Sequence, residues 1–410
     1  MDRHSVELLE FEFIRDELEG LCFGDEGRRL LHEQEFLHER DSLDTLLDRV
    51  VYIQKLVQTD SKLPAVRLPE IAQALEYVRK EGSTLDGEQI AAVGHFIEGG
   101  ATLAKWVCRS LDDRNRSPFL SELASLPDLR EVSKFIFSFL EEDGSVNESL
   151  PELKSLRRRM RSTQGEISSL ASGYLQDQAS IWQTDVPTQK DGRLVLPLKS
   201  SYKGRVPGII REVSSSGATI FVEPFDLVEK NNAYALLEHE YQIEIARILR
   251  VCSARIRESR ELLLPYLERM AELDTVVARA RYGVRHLCTR PTGLEKGFRI
   301  LSGRHPMLGK SVVPIRVELA DGSSVLLISG PNAGGKTVSL KTIGLFALMN
   351  QFGMCIPADE GSSMQLYSDV FADIGDDQSI EESLSTFSGH MKNISRFTTS
   401  AADDVLVLLD

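Results

Sequence analysis

The sequence predicts a multidomain protein: an all-α core, then two long helices bracketing a small β-rich segment, then a partial α/β domain of P-loop type. Three observations predict this. Apolar residues recur three and four apart through the first 150 residues. Two long helical stretches flank a segment of short Val/Ile/Leu runs cut by Gly, Pro and Ser. A glycine-rich tract, "GPNAGGKT", lies at 330–337 between an apolar run and an apolar helix. With 410 residues, 42% hydrophobic and 27% charged, the chain can bury the cores of two to four domains.

Residues 1–150 read as a helical bundle, from segments such as "SVELLEFEFIRDELEGL" and "SLDTLLDRVVYIQKLVQ" separated by turn clusters. Residues 151–183 open with Pro at a helix start and continue as a basic amphipathic helix. A second helix is expected over about 225–260, where Leu237, Tyr241, Ile245, Ile248, Cys252 and Ile256 draw one apolar stripe. Between them, about 186–224 reads as strands and turns, so that 151–290 forms an arm with a β-rich head. Residues 291–410 make the last domain.

The formal net charge is −14, which excludes a globally basic nucleic-acid coat. Its distribution is uneven: residues 1–150 carry 17 Lys+Arg against 31 Asp+Glu, and residues 153–211 carry 11 against 4. The head holds Lys199, Lys203, Arg205 and Arg211, and Arg157, Arg158, Arg159 and Arg161 lie on the entering helix. Such a run reads either as a solvated face or as a phosphate-gripping surface, because Lys and Arg neutralise phosphates without reading sequence. The five cysteines are scattered without a CxxC pair, so neither a zinc site nor a disulfide framework is expected. The amino terminus lacks a signal-peptide pattern and no apolar run is long enough for a bilayer, which predicts a cytoplasmic protein without a membrane partner.

The tract Gly330, Pro331, Asn332, Ala333, Gly334, Gly335, Lys336, Thr337 fits G-x-x-x-x-G-K-[ST]. It follows "SVLLIS", expected as a strand, and opens "TVSLKTIGLFALM", expected as a helix with Val338 in its first turn. Glycines there let backbone N–H groups converge on ATP phosphates, and the helix dipole adds to the attraction. Lys336 is placed to bridge the β- and γ-phosphates, and the Thr337 hydroxyl to bind Mg²⁺. The closing run "DDVLVLLD" reads as a buried strand ending on Asp410, in the position of the Mg²⁺-associated Walker B aspartate.

Together, "GFRILSGRHPML", "LLLPYLERMAELDTVVARARYG", "GPNAGGKT" and "DIGDDQSIEESLSTFSGHM" resemble the MutS family of DNA-repair ATPases. Within it the chain is similar to the shortened type-two branch, whose clamp resembles "LPLKSSYKGRVPGIIREVSSSGATIFVEP" and whose opening helices resemble "LEFEFIRDELEGLCFGDEGRRLL". The resemblance implies that the long helices are levers, that the β-rich tip is a clamp closing on nucleic acid, and that ATP binding drives it. It also implies phosphate contacts from Asn332 and, in a homodimer, a reach by Ser385 to the γ-phosphate of the partner's nucleotide; Ser385 reads alternatively as a helix cap. Arg304-His305-Pro306 reads as a structural turn, and Asp373, Asp376, Asp377 and His390 as a loop near the nucleotide or a metal site.

Members of that branch continue into the rest of the ATPase, a dimerising segment and a nuclease module, so this sequence is expected to be truncated at the Walker B strand. No endonuclease activity is expected of it, and no mismatch-reading aromatic wedge is recognised. Branched or mismatched DNA, in repair or in suppression of recombination, and structured RNA on ribosomes stay open as targets. Three functions stay open as well: an ATP-driven clamp, a nucleotide-binding module without turnover, and a structural-maintenance type ATPase, whose order of P-loop and coiled coil is the reverse of this one. A sheet edge exposed after Asp410 leads us to expect weak nucleotide binding and weaker hydrolysis.

Overall fold

The computed structural model describes all residues except 60–62, 110–117, 320–321, 332–334, 375–390, 392–393, 396 and 398–403. The chain divides into two compact units, each assembled from segments distant in sequence. One comprises Met1–Ala72, His95–Arg130 and Glu261–Asp410, the other Gln73–Gly94 and Glu131–Arg260. Among the described residues no helix is long and apolar enough to cross a membrane.

In the second unit, the helix Pro151–Asp177 starts with Pro in its first turn, where the missing N–H costs no hydrogen bond. It packs against the helix Phe225–Glu258, of which Leu237, Ile248, Cys252 and Ile256 are buried and Tyr241 and Ile245 half-buried. Between the helices lies an antiparallel sheet of Thr188–Lys190, Arg193–Lys199, Thr219–Pro224 and Gly208–Val213, in that spatial order. Asp191 and Gly192 have φ of 47° and 75°, so the first hairpin turns through two left-handed residues, the geometry that suits the right-handed twist of its strands. Ala171, Leu175, Ile181, Trp182, Leu196, Leu198, Val222 and Leu227 form the apolar cluster that seats this sheet on its helices.

The first helix ends at Asp177, six residues before the expected end at 183. Leaving the helix there lets Ile181 and Trp182 join the apolar cluster. The Trp182 indole also donates to the Tyr174 carbonyl at 2.8 Å, satisfying an acceptor that the helix end strands.

In the first unit, the helix Lys336–Gln351 is buried from Thr342 to its end. Beside it the strands Asp369–Asp373 and Val405–Leu409 pair in parallel, with Leu406 opposite Val370 and Leu408 opposite Ala372. A Cβ on Gly344 would come within 2.5 Å of Leu408 and 2.8 Å of Leu9, so only glycine lets the helix approach both. Phe352, at the helix end, packs with Phe11 and Phe36 at ring-centroid distances of 5.1 and 5.7 Å. A separate sheet orders Thr292–Gly293, Ser363–Met364, Phe298–Gly303 and Ile315–Leu319.

The run "SVLLIS" is not a strand. Residues 323–331 are irregular, and Val325 and Leu327 are 83% and 86% exposed. An apolar parallel strand is stable only when neighbours take its backbone groups and cover its faces. Among the described residues no strand pairs with this run.

Asp274, on the helix Arg260–Arg285, is buried and accepts the N–H groups of Phe23 and Gly24 at 2.9 Å, at the entry to the helix Asp25–Glu33. Burial pushes its carboxyl up to about 6, against the pull of those two donors and of Arg281. The folded value lies above the unfolded one, so the stabilisation from the protonated form is complete below about pH 4 and is lost as pH rises through about 6. Asparagine mimics that protonated form. From pH 4 to pH 7 the wild type should therefore lose about 2 kcal/mol relative to Asp274→Asn. Thermal melts of both proteins across that range would show a constant Tm difference if burial did not strain this carboxylate.

Candidate nucleotide and nucleic-acid sites

The helix Lys336–Gln351 begins at Gly335, whose φ of 74° and ψ of 23° place it in the left-handed region that glycine adopts without cost. Its amino-terminal N–H groups lack intrahelical acceptors, which makes the helix start attractive to anions. Lys336 Nζ donates to the Gly330 carbonyl at 2.8 Å and so folds back over its own loop. Thr337 Oγ1 donates to Asp410 Oδ2.

Asp410 follows the strand Val405–Leu409, and its N–H donates to the Asp373 carbonyl at 3.1 Å, so the parallel ladder carries its carboxylate to the start of the helix. The carboxyl end of a parallel strand beside a helix amino terminus is where open α/β sheets bind ligands. Gly330, Pro331 and Thr337 are exposed, and Val338 is 36% exposed in the first helical turn. Asn332, Ala333, Gly334, Asp376, Asp377, Ser385 and His390 lie outside the described residues. Asp373 is buried within its strand, opposite Leu409. Arg304 engages Asp359 at 3.1 Å and the carbonyls of Ser302 and Leu287, a role in the turn.

The four basic residues of the tip differ in what they do. Lys203 and Arg205 are exposed on the Ser200–Val206 turn, with the Arg205 guanidinium 5.8 Å from the Tyr202 ring centroid. Lys199 Nζ donates to the Ser180 carbonyl at 2.8 Å, which leaves its charge uncancelled. Arg211 instead binds the fully buried Glu223 at 2.5 Å. Arg193 and Asn231 reach the other oxygen of the same carboxylate at 3.1 and 2.7 Å. Burial would raise the Glu223 carboxyl, but the hydrogen bonds from Asn231, Arg211 and Arg193 hold it below its ordinary value. Arg211 therefore carries a structural load that its place in a basic run did not announce. On the entering helix, Arg157 pairs with Glu148 and Arg159 with Glu240, while Arg158 and Arg161 are exposed.

Sequence reasoning missed Arg279 and Ser5, both buried. Arg279 donates to the carbonyl of Phe352 and to Gln34, at the carboxyl end of the nucleotide-loop helix. Ser5 hydrogen-bonds the strand that holds Asp410. The sequence signal for the first is an arginine inside the apolar run of the Arg260–Arg285 helix; for the second there is none.

Comparison with known proteins gives the class first: residues 326–410 match the family model of MutS domain V. Across its whole length the chain is 32% identical to the protein named endonuclease MutS2 of Finegoldia magna, covering 53% of it. It is 37% identical to that of Pelotomaculum thermopropionicum, with all of this chain and 52% of the relative aligned. With that of Halalkalibacterium halodurans it shares 38% identity over 81% of this chain and 43% of the relative. The chain belongs to the MutS family, as a member of its MutS2 type. It spans about half the length of the curated relatives it matches.

Proposed function

We propose that this chain is an ATP-dependent nucleic-acid clamp: nucleotide held at Gly330–Val338 governs how the β-rich tip grips branched or mismatched DNA. The observation that carries the reading is the convergence of Thr337 and Asp410 at the start of the Lys336–Gln351 helix. A hydroxyl and a carboxylate are oxygen donors suited to Mg²⁺, and the helix start beside them suits phosphate. Lys336, which in the structure rests on a carbonyl of its own loop, supplies a cation for the same phosphates. Bound nucleotide would supply a polyanion with its metal, and the part of this chain's residues is to hold and orient it. The tip contributes Lys199, Lys203 and Arg205, whose charges suit phosphate backbones of any sequence. Completion of a partner's site by Ser385 in a homodimer belongs to the same proposal.

The test is anisotropy of a labelled four-way DNA junction, titrated with protein in the presence and absence of MgATP. Affinity should change with nucleotide for the wild type, and Lys336→Ala should bind the junction equally with and without it. A wild-type isotherm indifferent to MgATP would sink the coupling. A structured RNA in place of the junction separates the two nucleic-acid targets, since phosphate contacts alone do not.

A further inference from the structure

The helical amino terminus of the chain is built into the sheet that carries Asp410. Ser5 is fully buried in the short helix Arg3–Leu8. Its hydroxyl accepts the N–H of Ala372 at 2.9 Å and donates to Asp2 Oδ2 at 2.8 Å. The same Asp2 oxygen accepts the N–H of Ser5 at 3.0 Å, and the N–H of Asp2 donates to Asp369 Oδ1 at 2.6 Å. Residues 2 and 5 thus grip both ends of the strand Asp369–Asp373.

The other edge of that strand is the parallel ladder to Val405–Leu409, which ends where the Asp373 carbonyl receives the N–H of Asp410. One side of the Ala372–Asp373 dipeptide is therefore fixed by Ser5 and the other fixes Asp410, whose carboxylate meets Thr337. Without the Ser5 hydroxyl the buried Ala372 N–H would be left unpaired, and an unpaired buried donor costs enough to shift the strand. The helix Arg3–Leu8 closes that edge.

We infer that Ser5 is a positioning residue for the nucleotide-metal site: through the Ala372 N–H it sets the strand that presents Asp410 to Thr337. The inference rests on the reading of Thr337 and Asp410 as the metal-side ligands. It gives the amino-terminal helix a task at a site more than 300 residues away in sequence, and it ties the packing of that helix to how well a metal-bound nucleotide is held.

The experiment compares wild type, Ser5→Ala and Ser5→Thr in the full chain, with Lys336→Ala as reference. Binding of a fluorescent ADP analogue is measured with Mg²⁺ and with EDTA, and backbone hydrogen exchange is followed over 369–373 and at 410. Ser5→Ala should weaken Mg²⁺-nucleotide binding about tenfold, leave metal-free binding within about twofold, and speed exchange at Ala372 and Asp410 by about tenfold or more. Ser5→Thr keeps the hydroxyl and should restore all three. Faster exchange with unchanged Mg²⁺-nucleotide affinity would overturn the inference, because Ser5 would then only seal an edge. So would an equal loss with Mg²⁺ and with EDTA, the mark of general loosening. If wild type and Lys336→Ala bind the analogue alike, the nucleotide reading fails and this inference with it, whereas failure of the inference alone leaves Lys336→Ala deficient.

Discussion

Replacing Arg279 with alanine is expected to destabilise its unit by about 3–5 kcal/mol, read as a fall in Tm or in the urea midpoint. The side chain is 2% exposed, and its polar contacts are neutral oxygens: the carbonyls of Phe352 at 3.3 Å and Thr275 at 3.0 Å, and the Gln34 amide oxygen. Burial lowers its guanidinium to about 10, so it still carries its charge at neutral pH. The cation is tolerated because of where it sits. Phe352 caps the Lys336–Gln351 helix, whose carboxyl end bears the negative pole of the helix dipole. The Phe352 ring offers its π-face 5.3 Å from the guanidinium carbon. Alanine would leave a cavity and strand the Gln34 oxygen. Methionine keeps the volume and deletes the charge, so Arg279→Met separates the two contributions and should cost about 1–3 kcal/mol. A methionine variant as stable as wild type would mean that the charge at the helix end contributes nothing.

Arg279 also marks where sequence reading stops. The local features were legible: the Pro151 helix start, the stripe from Leu237 to Ile256 and the glycine that opens the Lys336 helix each follow from a few adjacent residues. Non-local ones were not. Nothing near Ser5 says that its hydroxyl accepts an N–H 367 residues away. Nothing near Arg211 separates an arginine held by a buried glutamate from one facing solvent, because Glu223 looks like any polar residue next to a helix start. The run from Val325 to Leu327 fails for the opposite reason. Its composition suits a strand, but strand formation depends on partners that local composition does not contain. The family resemblance stood on separated motifs in order, and order survives where boundaries do not.

The tip provides the second large effect, and the structure divides what the sequence had grouped. If Lys199, Lys203 and Arg205 each meet a nucleic-acid phosphate, the triple alanine variant should lower the slope of log affinity against log salt by about three units. At low salt that corresponds to a loss of affinity on the order of a hundredfold or more, shared by unrelated sequences, since phosphate contacts carry no sequence information. Stability should hardly move, because Lys203 and Arg205 are exposed and Lys199 gives up one bond to a backbone carbonyl. Arg211→Ala should behave in the reverse way. Its removal leaves the buried Glu223 with Arg193 and Asn231 but without one of its two cations, which is expected to cost about 1–3 kcal/mol in the stability of the tip. Lowering the pH works on the same carboxylate. Since the folded-state value of Glu223 lies below its ordinary one, its stabilisation is present above that ordinary value and is lost as pH falls through the folded one. Salt titrations of binding, paired with melts of both variants, separate these roles. A salt slope unchanged in the triple variant would place the phosphate contacts elsewhere, and an Arg211→Ala tip as stable as wild type would show that Arg193 alone suffices for Glu223.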